Sequence, residues 1–220
     1  MSLNEEDIKN CDNEINEEDV LNKYKYLNFT NTTITAHYDN NKRIRYFINM
    51  TSNTNGNNEI IFLHHPTNDY YNKDKLNTVQ NINNYHNNNN NNKTTLVNLF
   101  STVIDGFGSV NENNCRYFLN EDTDKNFNMI EKLMKTNNYS RCIIGCGQVL
   151  LNEKFNINDK KCSEKFIECY YIILSLLEKY NINIFYNKRL KNGLPNLHEL
   201  DFNYLNPITI NEIRYILDNI

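Results

Sequence analysis

The sequence predicts an α/β (α+β) protein in which a single mixed sheet is flanked by helices. Three observations support this class: short β-type runs between Thr32 and His64, amphipathic helical patterns further along, and a strand, helix and strand in succession between Cys142 and Tyr186. We therefore expect an antiparallel meander, then helices, then a carboxy-terminal βαβ unit.

The predicted meander consists of three β-type runs. Thr32–Tyr38 and Arg43–Met50 flank a turn of Asp and Asn at 39–41, and these residue types tolerate the positive φ values of tight hairpins. The third run, Glu59–His64, ends at Pro66. Consecutive short runs joined by turns predict neighbouring antiparallel strands.

Asparagine dominates the segment that follows. Residues 67–93 include the run from Asn87 to Asn92 and only a weak apolar stripe, which is typical of a low-complexity insertion that is partly helical and partly disordered. A helix capped by Thr94 or Thr95 is predicted next. Its apolar face would hold Leu96, Leu99, Phe100, Val103 and Phe107.

The rest of the chain contains the clearest patterns. A strand at 115–119 and a helix from Asp122 or Asp124 are expected first, and the helix would end at 136–138. Three elements then predict a parallel βαβ unit with a right-handed crossover. They are the strand Cys142–Leu151, the helix Ser163–Tyr180 and the strand Ile182–Tyr186. Thr209 and Glu212 form a capping box that opens a last helix.

Composition divides the chain into an arm and a domain. Residues 1–28 are acidic and poor in apolar side chains, so we expect a partly disordered arm. Residues 29–220 are expected to form a single α/β domain with the asparagine-rich insertion at about 67–93. The hydrophobic share is only 39%, but 15 Tyr and 11 Phe supply large buried areas.

Charge and hydropathy narrow the classes of function. A formal net charge of −4 without a basic stripe disfavours tight nucleic-acid binding. The longest apolar stretch, Tyr170–Leu177, is far shorter than the roughly 20 residues that span a bilayer. We expect a cytoplasmic protein with reduced cysteines and no cofactor; peripheral membrane association through a partner is compatible with these features.

Two patterns near residue 145 invite chemical interpretations. Cys142 and Cys146 have a spacing that zinc permits, and Cys162 or His198 could add ligands. The flanking residues are those of a buried strand, which favours two structural thiols. Gly145 and Gly147 resemble part of a phosphate loop, but the third glycine of a dinucleotide fingerprint is missing, so a β-bulge or close packing is favoured.

The pair His64 and His65 lies at the end of a predicted strand. Adjacent strand residues point to opposite faces, so the two imidazoles are poorly placed to share a metal. One could act as a general base oriented by Asp69, with Cys115 or Cys142 as a nucleophile. The alternative is structural, with one histidine half-buried and the other exposed.

One resemblance extends over Glu59–Lys135. A strand followed by residues 96–100, 103–105 and 118–134 is similar to the second half of a longin-type small adaptor subunit. The resemblance implies a trafficking or assembly role and assigns no functional residue.

Two hypotheses of function follow. The first is a non-catalytic subunit or adaptor of an intracellular complex that acts through protein contacts, because Tyr and Phe are enriched at interfaces. The second is a small enzyme with a thiol- or histidine-based site at the carboxyl ends of the last strands, near Cys146. That site would use Cys146, Gln148 and either Tyr186 or Asn187, together with His64 or His198.

Overall fold

The computed structural model describes residues 32–38, 44–64, 66, 77–102, 123–146, 160–190, 193–196 and 202–219. Within these ranges, seven strands form one mixed sheet and two short strands pair separately. The strands are β1 Thr33–Tyr38, β2 Arg45–Thr51, β3 Asn58–Leu63, β4 Lys93–Asn98, β5 Arg141–Ile144, β6 Asn183–Tyr186, β7 Lys188–Arg189, β8 Pro195–Asn196 and β9 Asn206–Ile208. The helices are α1 Asn77–Asn88, α2 Thr123–Asn137, α3 Lys160–Lys179 and α4 Ile210–Leu217. The predicted α/β class with a single mixed sheet is confirmed.

The strand order of the large sheet is β1-β2-β4-β3-β5-β6-β9. Strands β3, β4, β5 and β6 run parallel to one another, whereas β1, β2 and β9 are antiparallel to their neighbours. The four parallel strands lie in the order β4-β3-β5-β6. Strand β4 is on one side of β3, and β5 and then β6 are on the other side. The direction of strand addition reverses between β3 and β5.

The predicted meander is half right. Strands β1 and β2 form the expected antiparallel hairpin, but β4 lies between β2 and β3, and β3 is parallel to its neighbours. The reason is the apolar run Ile60, Ile61 and Phe62, which is fully buried. A strand that is apolar on both faces is stable at the centre of a parallel sheet with helices on both sides, not in a half-exposed meander.

The helix predicted from Thr94 or Thr95 is wrong over its described part, because Lys93–Asn98 is the inner strand β4. The i, i+3, i+4 spacing of Leu96, Leu99 and Phe100 fits a helix, but the run from Thr94 to Val97 is buried throughout. Two buried faces and consecutive threonines favour a strand. The strand expected at 115–119 lies outside the described residues.

The asparagine-rich segment is part of the fold where it is described. Helix α1 covers residues 77–88, and Asn90 adopts a positive φ of 50° in the turn to β4. This turn packs closely against the loop before β3, since a Cβ added to Gly56 would lie 1.8 Å from the Asn90 carbonyl oxygen. Asn91 is buried, so the run contributes to the interior.

The later elements match their predictions. Helix α2 buries the expected Phe127, Ile130, Leu133 and Met134. Strand β5 is shorter than the predicted Cys142–Leu151, whose residues beyond Cys146 lie outside the described ranges, and β5 and β6 form the expected parallel pair around α3. Thr209 and Glu212 make the capping box of α4 reciprocally.

Two cores lie on opposite faces of the sheet. The larger core joins Ile60, Phe62 and Ile144 to helices α2, α3 and α4. The smaller core joins Ile61 and Ile143 to α1. Alternate residues of the same strands enter different cores, so the molecule has three layers with the sheet in the middle.

Candidate ligand-binding site

The four parallel strands end at one edge of the sheet, called here the carboxyl edge. Strand β3 continues into α1 on the side of the smaller core, whereas β5 continues into α3 on the side of the larger core. β3 and β5 are therefore the adjacent strands at which the connections change from one face of the sheet to the other. Ligands of open α/β sheets bind outside the carboxyl ends of the strands at such a point.

Backbone hydrogen bonds extend the sheet beyond the named strands at this edge. The Arg45 N–H donates to the Ser101 carbonyl at 2.8 Å, and the Phe100 N–H donates to the His64 carbonyl at 2.9 Å. The Gly145 N–H donates to the carbonyl of Phe62 at 2.8 Å. Residues from β2, β4, β3 and β5 are thereby fixed in one row along the carboxyl edge.

Buried polar groups without partners occur in this row. Arg45 is 4% exposed, its Nε is a buried atom without a hydrogen-bond partner, and it forms no ion pair within the described part of the chain. Asn98, the last residue of β4, is fully buried, and neither its Oδ1 nor its Nδ2 has a hydrogen-bond partner there. Such groups destabilise a folded protein unless a ligand satisfies them.

Helix α2 begins at the same edge. The Nδ2 of Asn126, in its first turn, donates to the carbonyl oxygens of Asn98 at 3.1 Å and Leu99 at 3.3 Å. These bonds hold the amino terminus of the helix, with its partial positive charge, beside the end of β4. Lys125 adds a cation, since its Nζ lies 5.8 Å from the centre of the Tyr46 ring.

His64 follows β3 directly and lies in an aromatic environment. It is buried, its ring centre is 5.3 Å from that of Phe100, and it stacks on Phe166 of α3 at 5.9 Å. These rings fix the plane of the imidazole. Of the two histidines considered from the sequence, His64 is placed at the carboxyl edge, and His65 lies outside the described residues.

Cys142 and Cys146 lie in the larger core as protonated thiols. Burial raises the pKa of Cys146 to about 12 and that of Cys142 well above its ordinary value. The Tyr170 hydroxyl neighbours Cys146, and both groups are buried. A thiol that stays protonated at neutral pH is a poor nucleophile, so Cys146 contributes packing at this site.

The remaining predicted site residues do not join this row in the described structure. No group of three or more potential metal ligands occurs among the described residues. Tyr186 accepts a hydrogen bond from the Arg189 Nε at 3.0 Å, and Asn187 is partly buried beyond β6. The other candidates named from the sequence lie outside the described residues: Asp69, Cys115, Gln148 and His198, and the side-chain environment of Cys162.

A second polar cluster, missed from the sequence, lies at the opposite end of the strands. The carboxylate of Glu59 is fully buried; its Oε2 accepts from the Tyr85 hydroxyl at 2.6 Å and from Asn91 Nδ2 at 2.9 Å. Nη1 of Arg141 lies 3.0 Å from Oε1. Burial first, and then Glu59, raise the pKa of Tyr85. The carboxylate is held by two hydrogen bonds and one ion pair, which favours a structural role, although Arg141 Nε has no hydrogen-bond partner.

His86 is buried next to that network and gives a prediction of pH dependence. Its ring nitrogens lie 2.8 Å from Thr94 Oγ1 and 3.2 Å from Ser52 Oγ, and burial lowers its pKa from 6.5 to about 4. The unfolded chain therefore binds a proton at higher pH than the folded protein does. The stabilisation due to neutral His86 should be complete above pH 6.5 and lost as the pH falls towards 4.

The check is the free energy of unfolding measured between pH 7 and pH 4 for the protein and for His86→Gln. Gln does not titrate, so the variant should lose less stability over this interval than the parent does. Parallel curves for the two proteins would show that His86 is not the responsible group.

A cleft of about 430 Å³ lies beside α1. The described residues that line it carry no charge. Two of them are the stacked rings of Tyr85 and Phe202, whose centres are 4.2 Å apart. The other lining residues are asparagines: Asn81, Asn84, Asn88, Asn89 and Asn203. None of them is a buried polar group without a partner, in contrast to the carboxyl edge.

The fold and the site define a class: a three-layer α/β protein with an open sheet and polar groups at its carboxyl edge. No family model, curated protein or solved structure matches the chain, and the resemblance to a longin-type subunit gains no support. The longest described helix, α3, has 20 residues, and no described helix is apolar enough over sufficient length to cross a bilayer.

Proposed function

We propose that this protein binds a small molecule at the carboxyl edge, outside the ends of β4 and its neighbouring strands. The observation that carries the proposal is the amide of Asn98, which is fully buried and has no partner for either polar atom in the described structure. Its position at the end of a parallel strand is where ligands of open sheets are recognised.

A structural explanation of Asn98 fits poorly. An apolar side chain of similar volume would avoid the cost of burying an unpaired amide, which is about 1–3 kcal/mol in proteins. Asn126 differs in part: its Oδ1 also lacks a partner, but its Nδ2 donates to two carbonyl oxygens and so stabilises the join between α2 and β4. A destabilising polar group at the end of a parallel strand is typical of a binding site.

The test is a pair of matched variants. Asn98→Leu should raise the free energy of unfolding by on the order of 1 kcal/mol, because it removes the unpaired amide. Asn126→Leu should lower it by a similar amount, because it removes two hydrogen bonds. Both are measured by urea denaturation.

Binding is read from a metabolite panel scored by the shift in Tm of the unmodified protein. Any compound that raises its Tm should lose this effect in Asn98→Leu. Destabilisation by Asn98→Leu, together with unchanged compound shifts, would contradict the proposal.

A second candidate function is the adaptor or complex subunit expected from the sequence. The supporting observation is the exposure of two aromatic side chains, Tyr204 at 76% and Tyr215 at 71%. They lie next to the edge strand β9 and on α4, and exposed tyrosines are enriched in protein interfaces. This candidate function implies protein partners and a cytoplasmic location.

Affinity purification of the tagged protein at moderate salt, followed by mass spectrometry, tests this candidate. We expect a stoichiometric partner that is lost when Tyr204 and Tyr215 are both replaced by Ala. The double variant should keep its thermal stability, because exposed side chains contribute little to folding. Recovery of the unmodified protein alone would argue against a constitutive subunit.

A further inference from the structure

We infer that the ligand at the carboxyl edge carries a phosphoryl group that pairs with the guanidinium of Arg45. This inference rests on the proposed function and adds the chemical class of the ligand. Its starting point is a cation that is 4% exposed and has no carboxylate partner among the described residues. Buried arginines are ordinarily paired, because an unpaired buried charge is strongly destabilising.

The surroundings of Arg45 favour an anion. Asn126 anchors the amino terminus of α2 at the end of β4, and that terminus carries a partial positive charge. Lys125, one residue earlier, lies over the ring of Tyr46, the neighbour of Arg45 in β2. Asp124 and Lys125, both in the first turn of α2, are exposed and have opposite charges. The positive groups at the edge are thus the guanidinium of Arg45 and the amino terminus of α2.

The same row provides a hydrogen-bonding complement. The backbone of Arg45 is bonded to Ser101, and the preceding residue, Phe100, is bonded to His64. A guanidinium presents a planar fork that binds phosphate oxygens in pairs, and the Asn98 amide offers both a donor and an acceptor. These groups suit a phosphate monoester better than a neutral ligand, which would leave Arg45 unpaired.

The experiment measures binding of inorganic phosphate and of phenyl phosphate by calorimetry and by ³¹P line broadening, at constant ionic strength set with sodium chloride. We expect both anions to bind the unmodified protein and acetate to bind more weakly. Arg45→Met, which keeps the length of the side chain, should weaken phosphate binding by at least about tenfold, as loss of a charge-assisted pair implies.

Two further variants keep the test decisive. Arg45→Lys retains the charge without the fork, so it should bind phosphate with an affinity between those of the parent and Arg45→Met; it also replaces Arg45→Met if that variant does not fold. Lys179→Met removes an exposed cation paired with Glu131 and should leave binding unchanged. Equal phosphate affinity in the parent and in Arg45→Met would overturn the inference.

The two proposals fail in distinguishable ways. If phosphate and phenyl phosphate do not bind, but neutral or carboxylate compounds bind and lose their effect in Asn98→Leu, the binding site stands and the phosphoryl assignment falls. If no compound of either set binds, the site itself is contradicted.

Discussion

Replacing Glu59 by Ala should lower the free energy of unfolding by about 3–5 kcal/mol, because breaking a buried ion pair leaves its partners without compensation. The variant would remove the acceptor of the Tyr85 hydroxyl and of the Asn91 amide, and it would leave Arg141 beside an apolar gap. Urea denaturation followed by circular dichroism measures the effect.

Two controls separate the buried network from charge in general. Glu59→Gln keeps an acceptor for Tyr85 and should be less destabilising than Glu59→Ala. Glu131→Ala breaks a pair with Lys179 near the surface, and such pairs contribute less than about 1 kcal/mol. A Glu59→Ala variant as stable as Glu131→Ala would contradict the central position that the structure gives this carboxylate.

Phe62→Ala should also be destabilising by about 3–5 kcal/mol, the range for deleting a buried aromatic ring. Phe62 lies in the central strand β3, is fully buried in the larger core, and its carbonyl accepts the Gly145 N–H at the carboxyl edge. The cavity would open beneath the proposed site, so ligand-induced shifts in Tm should decrease as well.

Phe62→Leu is the matched control, since it keeps most of the apolar volume and should be clearly milder than the alanine variant. Tyr204→Ala serves as a surface control, because a side chain that is 76% exposed should change stability by no more than about 0.5 kcal/mol. If Phe62→Ala were as mild as Tyr204→Ala, the assignment of β3 to the sheet centre would be wrong.

The elements predicted well are those whose signals are local. The apolar stripe of α2, with Phe127 and Ile130, and the capping box at Thr209 are fixed by residues within one or two helical turns. The strand, helix and strand from β5 to β6 were also predicted, because one short connection joins α3 to β6.

The wrong predictions concern segments whose conformation depends on residues far away in the sequence. The spacing of Leu96, Leu99 and Phe100 fits a helix, and only pairing with β2 and β3 on either side makes the segment a strand. The place of β3 depends in the same way on β4, which follows about thirty residues later along the chain. Periodicity within one segment does not contain this information.

The proposed site overlaps the sequence hypothesis in part. Both place it at carboxyl ends of parallel strands, but the hypothesis centred on Cys146 with His64 or His198 and did not include Arg45 or Asn98. An arginine at the start of a strand has the pattern of an exposed residue, and an asparagine is unremarkable in this composition. What distinguishes Arg45 and Asn98 is that they have buried polar atoms without hydrogen-bond partners, and this becomes visible only in the folded structure.

The asparagine run from Asn87 to Asn92 spans the end of α1 and the turn into β4, and places Asn91 on Glu59. A change in the length of a single-residue run has little effect on folding where the run is only a surface spacer. Here one additional residue would shift Asn91 from its carboxylate and press the turn against Gly56. Selection on this repeat should therefore act on its copy number.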